Sequence, residues 1–194
     1  MNIQLKKEFL SLYDTFKQED AQKTDRLDKW RNIEPESAEF ISLLVKTKNA
    51  QKILELGTSN GFSTLWLAEA VSHTKGEVIS IDIERDRTNK AFENLKQFNL
   101  QSYVELLTYD AGQYLADTTL HFDMILLDAE RSYYTSYWKD LKRLLDENES
   151  NLLVVDNVVS HEEEVKEFID MIKEDEYKKV ILPIGAGLLL VSKQ

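Results

Sequence analysis

The chain has 194 residues and no cysteine. A disulfide framework, a thiolate metal site and a cysteine nucleophile are therefore excluded, and a reducing compartment such as the cytoplasm is expected. Proline (two) and glycine (six) are scarce, so each glycine stands out as a place where the backbone needs special geometry. No apolar run reaches the roughly 18 residues that a membrane helix requires. The stretch from Met1 to Phe16 mixes Lys, Glu and Asp with apolar residues and does not read as a signal peptide. Positive charge is in deficit, with a net charge of −11. A field of that sign repels phosphate backbones, which makes nucleic acid a poor partner unless a local basic patch forms.

What is present is a globular balance of 42% hydrophobic and 30% charged residues, in a length that supports one sizeable core. Leu5, Phe9, Leu12, Tyr13 and Phe16 recur at helical spacing, and Glu34-Pro35-Glu36 opens a second helix. From residue 52 the pattern changes to strands alternating with helices. Strands are expected at 52–56, 78–81, 104–107, 122–127 and 152–155, with helices at 62–71, 86–98, near 112–116, through Tyr133 to Leu144, and at 161–173. Five such strands imply a parallel sheet covered on both faces. Residues 179–182 and 188–191 are joined by Pro183-Ile184-Gly185-Ala186-Gly187, too short for a helix, so the chain should finish in an antiparallel hairpin. The expected organisation is one α/β domain, with a helical cap at 1–48 and a Rossmann-like core at 50–194.

Ligands of open α/β sheets bind beyond the carboxyl ends of the strands. The first strand runs into Glu55-Leu56-Gly57-Thr58-Ser59-Asn60-Gly61-Phe62-Ser63, a glycine turn that lets a ligand approach the backbone closely. The second ends at Asp82, a carboxylate suited to ribose hydroxyls. A dinucleotide fingerprint would need G-x-G-x-x-G, but Ser59 and Phe62 occupy its second and third glycine positions. Glu55 would also repel a pyrophosphate, whereas it suits a cationic ligand with an amino group. Asp128 ends the fourth strand and Asp156-Asn157 the fifth. On neighbouring parallel strands these meet at one rim, and two carboxylates with an amide oxygen suit Mg²⁺ or Ca²⁺ better than a nitrogen- or sulfur-seeking metal.

The stretch Ile53 to Ala68, ILELGTSNGFSTLWLA, resembles the S-adenosylmethionine (SAM) motif of the small cation-dependent O-methyltransferases, the catechol and caffeoyl-CoA type. The likeness runs from about Pro35 to the C-terminus. It implies a class I methyltransferase fold with a mostly parallel seven-stranded sheet, and SAM as cofactor. Glu55, Gly57 and Ser63 would surround the methionine end, and Asp82 would hold the ribose. Thr58, Ser59, Gly61 and Ile83 add contacts, and Asp110-Ala111, after Tyr109, form the adenine turn. Asp128, which also faces the cofactor, Asp156 and Asn157 carry over as metal ligands. Asp128 and Arg131 would be the catalytic residues, the acceptor a small hydroxylated molecule, and the assembly a homodimer.

Three departures from the family concern the acceptor half. Many relatives have a lysine, thought to act as base, where this chain has Arg131. Arginine stays protonated, so it can steady a negative oxygen but cannot take a proton. That leaves Tyr133, Tyr134 and His161 as other proton acceptors. Ala186 stands where relatives commonly have an aspartate, and the segment from Asn157 to Pro183 is shorter than theirs. A metal-independent methyltransferase with another acceptor, modified tRNA included, and a non-catalytic SAM-binding protein therefore stay open. Trp30, Trp66 and Trp138 read as helical packing residues, Trp30 being the one that could cap the acceptor pocket. Glu162-Glu163-Glu164 reads as a solvated helix start, and His73 and His121 as loop residues.

Overall fold

The computed structural model describes residues 1–194. Two helices, α1 (Ile3–Ala21) and α2 (Pro35–Lys48), precede the core. Asn2 caps α1 by accepting from the Leu5 amide (2.8 Å), and α2 begins on its proline and ends at Asn49 in the left-handed conformation. The core follows as β1 (Lys52–Leu56), α3 (Phe62–Thr74), β2 (Glu77–Asp82), α4 (Arg85–Gln97), β3 (Val104–Thr108), α5 (Ala111–Asp117), β4 (Met124–Leu127), α6 (Tyr134–Asp146), β5 (Leu152–Val155), α7 (Glu162–Met171), β6 (Tyr177–Leu182) and β7 (Leu188–Lys193). No helix is long and apolar enough to cross a membrane.

All seven strands lie in one sheet of order β3-β2-β1-β4-β5-β7-β6. The first five are parallel. The last strand, β7, runs antiparallel between β5 and β6, which is the reversed finish expected from a connection too short for a helix. Alternation along each strand divides the core in two. Leu54, Leu56, Ile125, Leu127, Leu153 and Val155 face α5, α6 and α7, where Trp138 meets Phe168 and Tyr177 edge to face. Ile53, Val78, Met124, Leu126 and Val154 face the other layer, with Phe9, Ile41, Leu65 and Leu95 from α1 to α4. Helix α3 is buried along nearly its whole length, its polar Ser63, Thr64, Glu69 and Thr74 included.

Some boundaries differ from the sequence expectation. Helix α1 is longer than the apolar spacing alone indicated. Strand β4 starts at Met124 rather than Phe122, because Asp123 turns its carboxylate back to accept from the Gln51 and Lys52 amides (2.7 and 2.9 Å). His73 lies within α3, not in a loop, and pairs with Glu69 (2.9 Å) one turn earlier. Trp30 is not helical: it lies in the irregular segment 22–34 between α1 and α2.

Candidate active site

The chain reverses direction across the sheet between β1 and β4, and the cleft at such a switch point is where ligands of this architecture sit. Ladder bonds continue one residue past the strands there. Gly57 donates to Ile81 O (2.9 Å), Asp128 to Leu56 O (2.9 Å) and Asp156 to Leu127 O (3.1 Å). Gly57 has φ +106°, and a Cβ on it would lie 2.1 Å from the carbonyl oxygen of Asp128. Only glycine allows the two strand ends to touch in this way. Gly61, at φ +84°, caps α3, and its missing Cβ makes room for Ala91 of α4. Its hydrogen atom serves helix packing as well as the turn.

Glu55 differs from its expected placement. Its side chain is 0% exposed and lies beneath the turn. It accepts from Ser63 Oγ (2.5 Å), Thr64 Oγ1 (2.6 Å) and Ser80 Oγ (2.5 Å). Burial raises its pKa, and the three hydroxyls oppose that rise. The carboxylate thus organises Ser63 and Ser80 from inside rather than lining the cleft. Thr58, also buried, shares a hydrogen bond with Ser80 (2.6 Å). Asp82 is at the rim, where it accepts from the Ser59 amide (2.8 Å) and the Glu84 amide (3.0 Å). Ile83 beside it is exposed. Asp110 caps α5 by accepting from Gln113 (2.8 Å), with Ala111 as the first helical residue.

Asp128, Asp156 and Asn157 come together on the other side of Gly57. Asn157, at φ +68°, donates from Nδ2 to Asp128 Oδ1 and Asp156 Oδ2, both at 3.0 Å. Asp156 is 1% exposed, and its Oδ1 is buried without any hydrogen-bond partner. Burial, then the charges of Asp156 and Glu55, push the Asp128 carboxyl well above the usual carboxylate range. Burial also lifts Asp156 to about 7, with Glu34 adding to the rise and Arg131 opposing it. Two carboxylates buried side by side favour a shared positive charge. No group of three His, Cys, Asp or Glu side chains is placed to hold a metal ion; the set here is two carboxylates and an amide.

Arg131 follows on a single 3₁₀ turn (Arg131–Tyr133) and is held by Glu164 Oε2 (2.8 Å). Tyr134 is fully buried; burial, then Asp128 and Asp156, raise its pKa well above the ordinary phenol value. Tyr133 is exposed and stacks with Tyr137. His161 caps α7, and burial and Arg131 lower its pKa. The carbonyl of Ala186 accepts from the Val159 and Ser160 amides (3.1 and 2.9 Å), so the C-terminal hairpin shapes the loop that carries Asn157.

No local pattern in the sequence announces the strap formed by residues 22–34. Asp20 accepts from the Trp30 and Arg31 amides (2.7 and 2.9 Å). The Trp30 carbonyl accepts from Ser59 Oγ (2.7 Å), and Arg87 donates to Ser59 Oγ (3.1 Å), Leu27 O (2.7 Å) and Lys29 O (3.1 Å). Arg26 grips Glu130 with two bonds of 2.8 Å, and Arg31 reaches it at 3.4 Å. The strap therefore touches both the glycine turn after β1 and the loop after β4. Glu34 closes it, accepting from Tyr13 (2.5 Å).

A doubly wound sheet with a reversed penultimate strand, a glycine turn at the switch point and carboxylates at successive strand ends defines a Rossmann-like methyltransferase fold. A solved O-methyltransferase from Bacillus cereus, in complex with S-adenosylhomocysteine (SAH), has this fold. It superposes with a TM-score of 0.77 over 100% of this chain and 92% of that one, at 23% identity. A family model described as O-methyltransferase matches residues 10–194, and the chain belongs to that family. It is 33% identical over 132 residues to a catechol O-methyltransferase of Niastella koreensis (66% of this chain, 58% of that protein). It is 28% identical over 128 residues to a catechol O-methyltransferase of Mycobacterium tuberculosis (66% and 57%). The chain thus aligns with less than two thirds of the length of either relative.

Proposed function

We propose that the protein transfers a methyl group from SAM to a hydroxyl of a small acceptor with adjacent oxygens, assisted by Mg²⁺ or Ca²⁺. The observation that carries this reading is the meeting of Asp128, Asp156 and Asn157 against Gly57, with Asp156 Oδ1 buried and unpartnered. The residues fit a hard cation. Burial holds both carboxyls above their ordinary pKa, which a cation between them would offset, and turning the Asn157 amide would present its oxygen instead of its nitrogen. A cation held there would lower the pKa of a bound hydroxyl and orient its oxygen.

The chain's own residues supply the alignment. Asp82, fixed by two backbone amides, is placed to grip a ribose. Gly57 keeps the ends of β1 and β4 in contact at the turn that would hold the methionine part of the cofactor, and Glu55 steadies Ser63 beneath it. The contact between Gly57 and Asp128 sets the spacing of donor and acceptor, which is where most of the rate advantage of such a transfer arises. The names of the Niastella and Mycobacterium relatives favour a vicinal, aromatic diol, and the Bacillus complex favours the cofactor.

The test is calorimetric titration of SAM and SAH into chelator-treated protein, with and without Mg²⁺. Micromolar binding that is lost in Gly57→Val and Asp82→Ala is expected. No binding in either condition would overturn the reading.

A further inference from the structure

Between Phe16 on α1 and Ile33 no residue is buried. The strap is thus held by polar bonds, while the chain on either side of it is anchored in the core. Its neck is closed by Asp20, whose carboxylate takes the Trp30 and Arg31 amides. A loop whose ends are tied together and whose side chains bury no apolar anchor opens at little cost to the rest of the fold. Its tip is a small turn with bonds of its own. Leu27 donates to Asp25 Oδ1 (2.9 Å) and Lys29 to Arg26 O (3.3 Å), so the tip can move as a unit.

The outward bonds of the tip go to opposite walls of the crevice. Arg26 grips Glu130, two residues after Asp128. Its neighbour Leu27 offers its carbonyl to Arg87 (2.7 Å), on α4 beyond Asp82. Arg87 also reaches Ser59 Oγ (3.1 Å), two residues after Gly57. Adjacent residues of the strap therefore join the glycine-turn side to the Asp128 side, and under the function proposed above, on which this inference rests, the cofactor lies between those sides. The Arg26–Glu130 pair is the exposed link, with side chains 50% and 31% exposed, and is open to screening by salt.

We propose that the strap is a gate across the cofactor crevice, hinged at Asp20 and latched at Glu130, and that its opening limits how fast SAM enters and SAH leaves. A latch that closes the empty and the filled crevice alike slows both directions and leaves affinity nearly untouched. A side chain that instead grips the cofactor would act mainly on dissociation.

Association and dissociation of SAH are timed by stopped-flow tryptophan fluorescence, Trp30 lying on the strap itself. Glu130→Gln should speed both by about three- to five-fold, the most that an exposed ion pair supplies, with Kd nearly unchanged. Added salt should speed the wild type more than the variant. Because the chain has no cysteine, Arg26→Cys with Glu130→Cys can be joined selectively by a short bis-maleimide. Joined after loading, the protein should retain SAH; joined while empty, it should exclude it. Exchange as fast in the joined protein as in the unjoined one would overturn the proposal. So would a Glu130→Gln variant altered in dissociation alone. Failure of wild type to bind SAH at all would instead overturn the methyltransferase reading.

Discussion

Asp156→Asn should make the chelator-treated protein more stable at pH 8 while leaving it little changed near pH 4. The carboxyl titrates at about 7 in the folded chain and at about 3.9 when unfolded. Between those values the folded state binds the extra proton, so stability falls as pH rises through that window and levels off above it. Three units at about 1.4 kcal/mol each set a ceiling of about 4 kcal/mol. The asparagine must still satisfy its own amide beside Asn157, so a net gain of about 1–3 kcal/mol at pH 8 is expected. For a chain of this size that corresponds to about 2–12 °C in Tm. Thermal melts across the pH range in chelator, repeated with Mg²⁺, measure it. The variant should also lose any stabilisation by Mg²⁺. A wild type with flat stability from pH 4 to 8, or a variant less stable than wild type at pH 8, would refute the reasoning.

Gly57→Ala forces a side chain into φ +106° and onto the Asp128 carbonyl. It should cost about 3 kcal/mol or more, seen as a Tm fall of at least about 6 °C with loss of SAH binding; a near-neutral melt would contradict that contact. Mg²⁺ binding must displace protons from Asp128 and Asp156, so its affinity should drop as pH falls below about 7. Titration in buffers of different ionisation enthalpy would expose a pH-independent site and so disprove this. Glu130→Ala releases Arg26 and Arg31. Because these pairs are partly exposed, stability should change by less than about 1 kcal/mol, yet trypsin should cut the strap after Arg26 and Lys29 several-fold faster, as about 1 kcal/mol of local opening implies. An unchanged cleavage rate would mean that the pairs do not hold the strap.

The strand ends were legible because chemistry and periodicity coincide there: an apolar run stops at Gly57, at Asp82, at Asp128 and at Asp156. The reversed hairpin was legible from the length of its connection. Other features depend on contacts across the fold and leave no local signal. Arg26 and Glu130 are 104 residues apart in sequence, and nothing near either one indicates the other. Glu55 looks like a ligand-facing acid until Ser63, Thr64 and Ser80 are seen to saturate it. Trp30 looks helical by composition, but Asp20, binding two successive amides, holds it in an irregular turn.

The backbone contact between Gly57 and Asp128 has an evolutionary side. Under the proposed function, donor and acceptor would be registered by main chain against main chain, which side-chain substitution does not disturb. On the proposed reading, side chains on the acceptor side such as Arg131 are then free to drift, and a lineage can try new acceptors without having to re-establish the line of attack.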